Sequence, residues 1–149
     1  ACGATLLLLW GGAAPAEEHT VHAIAVRGFE TMFFEPDFVR AQPGDSVTFI
    51  VDDLDHQPQS VFVPTGAADW QAEQGQSITV ELTEEGVYIF DCAFHNVMGM
   101  AGVILVGDPV NLVDARAFYE RYRDETIFIE KDRLDHVWDE ESGVLGTAR

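Results

Sequence analysis

The chain has 149 residues and a mass of 16.4 kDa, which is enough for one domain with its own hydrophobic core. Apolar residues make up 47% of the chain and charged residues 23%, a composition that excludes a disordered or fibrous protein. Acidic residues outnumber basic ones by 26 to 8, and the formal net charge of −18 excludes binding to nucleic-acid phosphates or to anionic membrane surfaces.

The N-terminal segment has the features of the end of a secretory signal. Thr5–Trp10 is an apolar run, but it is too short to span a bilayer, which takes about 20 apolar residues. Ala14-Pro15-Ala16 then fits the small-residue pattern of a signal-cleavage site. We therefore predict that residues 1–16 are the remnant of a signal peptide, cleaved after Ala16, and that residues 17–149 form a single exported domain.

After this leader, short runs rich in β-branched and aromatic residues alternate with turn signals, a pattern typical of a β-sandwich. Pro43-Gly44-Asp45 is a strong turn, and in the run that follows it Val47, Phe49 and Val51 mark one more apolar face. The pattern predicts eight strands, at Thr20–Val26, Met32–Phe34, Phe38–Arg40, Ser46–Val51, Ser60–Val63, Ser77–Leu82, Val87–Asp91 and Ala101–Val106.

From Asn111 the apolar residues change to helical spacing. In a first run the apolar residues lie three and four positions apart. In a second run they lie among many acidic residues, and we interpret these acidic residues as a solvated face. The pattern predicts two C-terminal α-helices, over about residues 110–140, packed back on the sandwich. The apolar positions are Leu112, Ala115, Phe118, Tyr119 and Tyr122 in the first run and Ile127, Ile129, Leu134 and Trp138 in the second.

The most informative motif is Cys92-x2-His95-x4-Met100. A strand ends at Cys92 and a tight loop leads to the next strand, so a thiolate, an imidazole and a thioether can meet around one point. His56, in the loop after the fourth predicted strand, is the candidate for a second imidazole. Two His, one Cys and a weak axial Met are the ligands of a blue-copper site, because soft sulfur suits Cu(I) and imidazole suits both oxidation states.

Other sulfur and imidazole groups are weaker candidates as ligands. Cys2 lies in the leader, so we predict no disulfide between Cys2 and Cys92. A free Cys92 thiol would be vulnerable to oxidation outside the cytoplasm, which favours a thiolate bound to a metal. We interpret His22 as a structural side chain and expect His19 and His136 to be exposed to solvent.

With these residues the sequence resembles the small blue-copper proteins, the cupredoxins, and among them the pseudoazurins. The resemblance covers most of residues 17–149. It rests on the metal-binding motif, the two C-terminal helices and the segments Phe34-Glu35-Pro36, Pro43–Ile50, Gly86-Val87-Tyr88 and Met98-Gly99-Met100.

This resemblance implies a mainly β fold, an eight-stranded Greek-key sandwich, and one type 1 copper ion that alternates between Cu(I) and Cu(II). In the family the residues that match His56, Cys92, His95 and Met100 bind the metal. A shorter Cys-x2-His-x2-Met loop also occurs among cupredoxins, which keeps Met98 as the alternative axial ligand.

The implied activity is electron transfer rather than catalysis. The resemblance implies a monomeric periplasmic carrier without a membrane anchor, in transient contact with copper nitrite reductase, in denitrification, or with a cytochrome c. His95 would be the exposed ligand through which the electron leaves. Around it we expect an apolar contact patch formed by Phe94, Val97, Met98 and Pro43.

The sequence departs from the family's pattern at two positions beside the ligands. Gln57 stands where the family has Asn after the first His ligand, and Phe94 stands where it has Pro before the second. Unlike Pro, Phe94 has a backbone N–H, which can either point at the Cys92 sulfur or bond to solvent or to a loop carbonyl. The family's Lys-rich docking ring is also missing, since Lys131 is the one Lys in the chain, and this composition is typical of a halophilic protein.

Other functions fit the sequence less well. A copper oxidase or nitrite reductase would need a His adjacent to Cys92, whose neighbours are Asp91 and Ala93, and no substrate cleft of a Cys/His hydrolase is indicated. Two alternatives remain open. One is a halocyanin-like carrier of a halophile, which fits the acidity, and the other is a copper storage or delivery protein, which would favour more than the three Met present.

Overall fold

The computed structural model describes residues 14–139 and Leu145. Within these residues the chain forms eight strands and two α-helices, which confirms the mainly β sandwich with a C-terminal helical extension. Residues 1–13 lie outside the described part, so the signal peptide remains a prediction. The elements are β1 (Glu18–Arg27), β2 (Glu30–Glu35), β3 (Phe38–Ala41), β4 (Ser46–Val51), β5 (Pro58–Phe62), β6 (Ile78–Glu81), β7 (Gly86–Cys92), β8 (Ala101–Val106), α1 (Leu112–Glu125) and α2 (Asp135–Trp138).

The strands form two four-stranded sheets within the described residues, in the orders β2-β1-β4-β6 and β3-β8-β7-β5. In the first sheet β1 runs parallel to β4, with Glu18 opposite Ser46, and antiparallel to β2. In the second sheet β7 is antiparallel to both β8 and β5, and Pro58 lies opposite Cys92. This register places the start of β5 beside the end of β7, where the sequence predicts the metal.

The main core lies between the two sheets. In β4 the residues Val47, Phe49 and Val51 are buried and alternate with half-buried neighbours, as the period-two pattern predicts. Phe34 and Phe90 pack edge to face with ring centroids 5.1 Å apart. Cys92 and Met100 belong to the same buried cluster, so the predicted ligands are continuous with the core.

A second core covers the outer face of the β3-β8-β7-β5 sheet. Tyr119 of α1 and Trp138 of α2 stack with ring centroids 4.7 Å apart, and they pack with alternate residues of β7 and β8. Both faces of β7 and β8 are therefore buried, which explains why their sequences are almost continuously apolar. No helix in the described part of the chain is long and apolar enough to cross a membrane.

The second predicted helix is present but is only one turn long. Ile127 is buried as expected, yet it lies in the irregular segment between the helices. The N–H groups of Phe128 and Ile129 donate to the Val97 carbonyl, at 2.8 and 3.1 Å, instead of to carbonyls one turn back. The helix starts late because this segment bonds to the predicted metal loop.

Candidate metal centre

His56, Cys92 and His95 converge where β7 ends and β5 begins. The Cys92 Sγ lies 3.8 Å from Nδ1 of His56 and 3.6 Å from Nδ1 of His95. The donor atoms of the three residues all lie within 4.8 Å of one another. The structure thus brings two imidazoles to the Cys92 thiol, one from a residue 36 positions earlier in the chain and one from a residue 3 positions later.

The backbone of Gln57 joins the two loops that carry these side chains. Its N–H points at the Cys92 sulfur, 3.4 Å away, and its carbonyl accepts a 3.0 Å hydrogen bond from the Ala93 N–H. The Gln57 side chain turns away and donates to the Ala72 carbonyl, 2.9 Å away. The loops that carry His56 and Cys92 are therefore held together by main-chain groups of residue 57. These groups are the same whether that residue is Gln, as in this chain, or Asn, as is usual in the family.

The two imidazoles differ in their exposure. The His56 ring is fully buried, whereas His95 is half-buried and reaches the surface. Burial lowers the pKa of His56, although the nearby Asp53 carboxylate opposes the shift, so the neutral form that binds metals is favoured. The Nε2 of His56 lies 3.4 Å from Asp53 Oδ2, and it makes no well-aligned hydrogen bond within the described residues.

Met100 and Met98 occupy different positions in the loop. Met100 is completely buried, its carbonyl accepts from the Cys92 N–H at 3.0 Å, and its N–H donates to the His95 carbonyl at 3.3 Å. Met98 lies at the end of a short 3-10 turn, Asn96–Met98, and is half-buried. Its burial and its backbone hydrogen bonds to two predicted ligands favour Met100 over Met98 as the thioether that would help to hold the metal.

Asp91, directly before Cys92, is a supporting residue that the sequence analysis did not assign. Its carboxylate is fully buried and accepts hydrogen bonds from the Tyr122 hydroxyl, at 2.6 Å, and from Gln59 Nε2, at 2.8 Å. Burial raises the pKa of Asp91, and hydrogen bonds from Tyr122, Gln59 and the Asn96 side chain oppose that shift. A charged residue inside a predicted buried strand was the signal that could have identified it.

The C-terminal segment also supports the metal loop. Arg133 Nη1 donates to the carbonyls of Met32, at 2.6 Å, and of Gly99, at 3.2 Å. Gly99 has a φ of 76°, and a Cβ at this position would lie 2.8 Å from the carbonyl oxygen of Glu130. Glycine is therefore required here both by its backbone conformation and by the close approach of the C-terminal segment.

The donor set fits copper and does not fit hard, oxygen-preferring ions. A thiolate and two imidazoles in a largely dry site suit a metal that cycles between Cu(I) and Cu(II), whereas hard ions such as Mg²⁺ prefer oxygen ligands. The fixed backbone contacts of Gln57 and Met100 hold the donor atoms in place through the fold itself.

Comparison with known proteins agrees with this geometry. Residues 21–107 match the model of the copper-binding proteins of the plastocyanin/azurin family. A pseudoazurin of Paracoccus pantotrophus is 38% identical over 119 residues, which are 77% of this chain and 80% of that protein.

Two solved structures are similar over nearly their whole length. The pseudoazurin of Methylobacterium extorquens AM1 has a TM-score of 0.71 and 32% identity, over 81% of this chain and 96% of its own. The pseudoazurin of Sinorhizobium meliloti has a TM-score of 0.69 and 36% identity, over 85% and 98%. These likenesses support a blue-copper electron carrier with one type 1 copper, rather than an enzyme. The chain therefore belongs to the plastocyanin/azurin family of copper-binding proteins and, within that family, to the pseudoazurins.

Proposed function

We propose that His56, Cys92, His95 and Met100 hold the copper ion and that the protein carries single electrons between redox proteins in the periplasm. When bound, the copper supplies a one-electron Cu(II)/Cu(I) couple. The donor protein loses one electron and the acceptor gains one in each cycle, with no net change in the carrier. The observation that carries this proposal is the convergence of the Cys92 sulfur with Nδ1 of both imidazoles, one of which reaches the surface.

His95 is the proposed exit for the electron. Its ring is half-exposed, whereas His56 and Cys92 are fully buried. A partner that contacts His95 comes within one side chain of the thiolate, because His95 Nδ1 lies 3.6 Å from the Cys92 sulfur.

Exposed apolar side chains form a docking patch beside His95, which we define as Phe94, Val97, Phe128 and Ile129. Phe94 and Val97 were expected from the sequence, and the half-buried Met98 lies between them and Met100 in the same loop. Pro43 was wrongly included, because it precedes β4 whereas His56 follows the other end of that strand. Phe128 and Ile129 join the patch because their N–H groups bond to the Val97 carbonyl. Small apolar patches suit transient redox complexes, which must form and separate quickly.

The charge of the molecule restricts which partners can dock. With a net charge of −18, this protein repels an acidic partner and attracts a basic one, and added salt screens both effects. We propose a basic cytochrome c as the first partner to test. Copper nitrite reductase, and with it a place in denitrification, follows from the family resemblance and is the second candidate.

Stopped-flow electron transfer tests this proposal. The rate with a basic cytochrome c should fall as salt rises, and the rate with an acidic nitrite reductase should rise. Phe128→Ser should slow both reactions at high salt by about fivefold. This is the effect of losing about 1 kcal/mol of apolar contact between the docking patch and the partner.

Val113→Ser is the matched control, because Val113 is exposed at the start of α1, near the opposite end of β7 from Cys92. Equal losses in the Phe128 and Val113 variants would show that electrons do not leave through the docking patch.

A further inference from the structure

Asp45 is a nearly buried carboxylate at the turn before β4. It is only 5% exposed, and donors surround both of its oxygens. Oδ1 accepts from the Glu17 N–H at 2.8 Å, and Oδ2 accepts from the Gln42 N–H at 2.8 Å. His19, which the sequence analysis expected to be exposed, is instead half-buried, with Nε2 3.1 Å from Oδ2. The hydrogen bonds from Glu17, Gln42 and His19 lower the pKa of Asp45 to about 2, so the group is charged at neutral pH.

Glu17 marks the point at which the chain becomes attached to the sandwich. Its carbonyl accepts a 3.0 Å hydrogen bond from the Ser46 N–H, and β1 begins at the next residue. Residues 14–16 are exposed and belong to no strand. The boundary between exposed and attached chain therefore coincides with the Ala14-Pro15-Ala16 cleavage pattern.

We propose that Glu17 is the N-terminal residue of the mature protein and that its α-ammonium forms an ion pair with Asp45. A processing protease of the export pathway would hydrolyse the Ala16–Glu17 bond. One water is consumed, the C–N bond breaks, the leader departs with a carboxylate on Ala16, and Glu17 retains a protonated amine. The nitrogen already placed 2.8 Å from Asp45 Oδ1 changes from a neutral amide into a cation.

This change strengthens a contact on a central strand. Because the Asp45 carboxylate is already charged, its hydrogen bond from the Glu17 amide is charge-assisted before cleavage, and the ammonium adds the attraction of a full positive charge beside the carboxylate. Because β1 lies between β2 and β4, its attachment at Glu17 supports the whole first sheet. Processing would thus stabilise the folded carrier as well as release it.

The first test is the N-terminus of the protein recovered from the periplasm of an expressing cell. Mass spectrometry should find that it begins at Glu17. A mature chain that begins at any other residue would overturn the proposal, because its ammonium would not lie at the Asp45 carboxylate.

The second test is a double-mutant cycle on the purified copper-loaded protein. One chain begins at Glu17 and the other retains Ala16, which converts the Glu17 nitrogen back into an amide, and each is made with Asp45 and with Asp45→Asn. With Asp45 present, retaining Ala16 should raise the unfolding equilibrium constant in urea about fivefold at pH 7, which is the size of the contribution expected from one ion pair near the surface.

In the Asp45→Asn background the extra Ala16 should have little effect. An equal loss in both backgrounds would show that the extension acts without the carboxylate, and no loss in either would show that the ammonium gains nothing over the amide. Either result overturns the ion pair.

Discussion

The hydroxyl of Tyr122, on α1, donates a 2.6 Å hydrogen bond to Oδ2 of Asp91, the residue that precedes Cys92. The same buried carboxylate accepts from Gln59 of β5. One side chain thereby joins the C-terminal helix, the strand next to the metal loop and the strand that ends at the thiolate. Helix α1 therefore helps to hold the end of β7, and with it Cys92, in place.

Tyr122→Phe should remove one donor from the buried Asp91 carboxylate. An unsatisfied buried acceptor costs about 1–3 kcal/mol, so urea unfolding should show a loss of that size. Tyr119→Phe is the matched control, since the Tyr119 hydroxyl is buried with no hydrogen-bond partner among the described residues, and its loss should cost little. If the two variants were equally destabilised, the hydrogen bond to Asp91 would not be the cause.

Asp45 should contribute to stability in acid. Its pKa is about 2 in the folded protein and about 3.9 when unfolded, so its contribution is complete above about pH 4 and is lost as the pH falls toward 2. Asp45→Asn should be less stable at pH 7 and should lose less further stability between pH 4 and 2. Asp108→Asn, at an exposed carboxylate, should keep the normal profile, and urea unfolding across this pH range measures both.

The axial position can be tested with two methionine variants. Met100→Leu should keep the thiolate–copper colour but raise the reduction potential, because a weak donor that favours Cu(II) is removed. A rise on the order of 59 mV would correspond to a tenfold change in preference for Cu(I). Met98→Leu should leave the potential in cyclic voltammetry nearly unchanged, and the reverse outcome would assign the axial role to Met98.

Salt should stabilise the fold if the acidic surface is an adaptation to high salt. Repulsion among 18 surplus negative charges is strongest in dilute buffer, where the screening length is long. A gain of about 1 kcal/mol in molar sodium chloride would raise the thermal midpoint by about 2–4 °C. Sodium chloride is preferred to sulfate, which strengthens apolar burial in any protein. A flat or falling midpoint would argue against a halophilic protein.

Local patterns in the sequence were enough for much of the fold. The period-two run Val47, Phe49, Val51 and the turn at Asp45 are short-range signals, and the structure places a strand and a turn there. The length of α2 could not be predicted, because Phe128 and Ile129 satisfy their N–H groups at Val97, some 30 residues earlier.

The hydrogen bond to the thiolate shows the same limit. Sequence proximity to Cys92 made Phe94 a candidate N–H donor, whereas the donor that the structure places at the sulfur is Gln57, 35 residues earlier. That contact depends on the pairing of Pro58 with Cys92 across β5 and β7, a register that no local pattern contains. Asp91 was missed for a similar reason, since its partners Tyr122 and Gln59 come from elements distant in sequence.

The visible spectrum of the purified Cu(II) protein tests the central claim most directly. Copper bound by the Cys92 thiolate should give an intense charge-transfer band toward the red end of the spectrum. Cys92→Ser should remain folded but lose the band, because a hydroxyl does not replace the thiolate bond. A colourless Cu(II) protein, or an intense band that persists in the Cys92→Ser variant, would contradict the proposed metal centre.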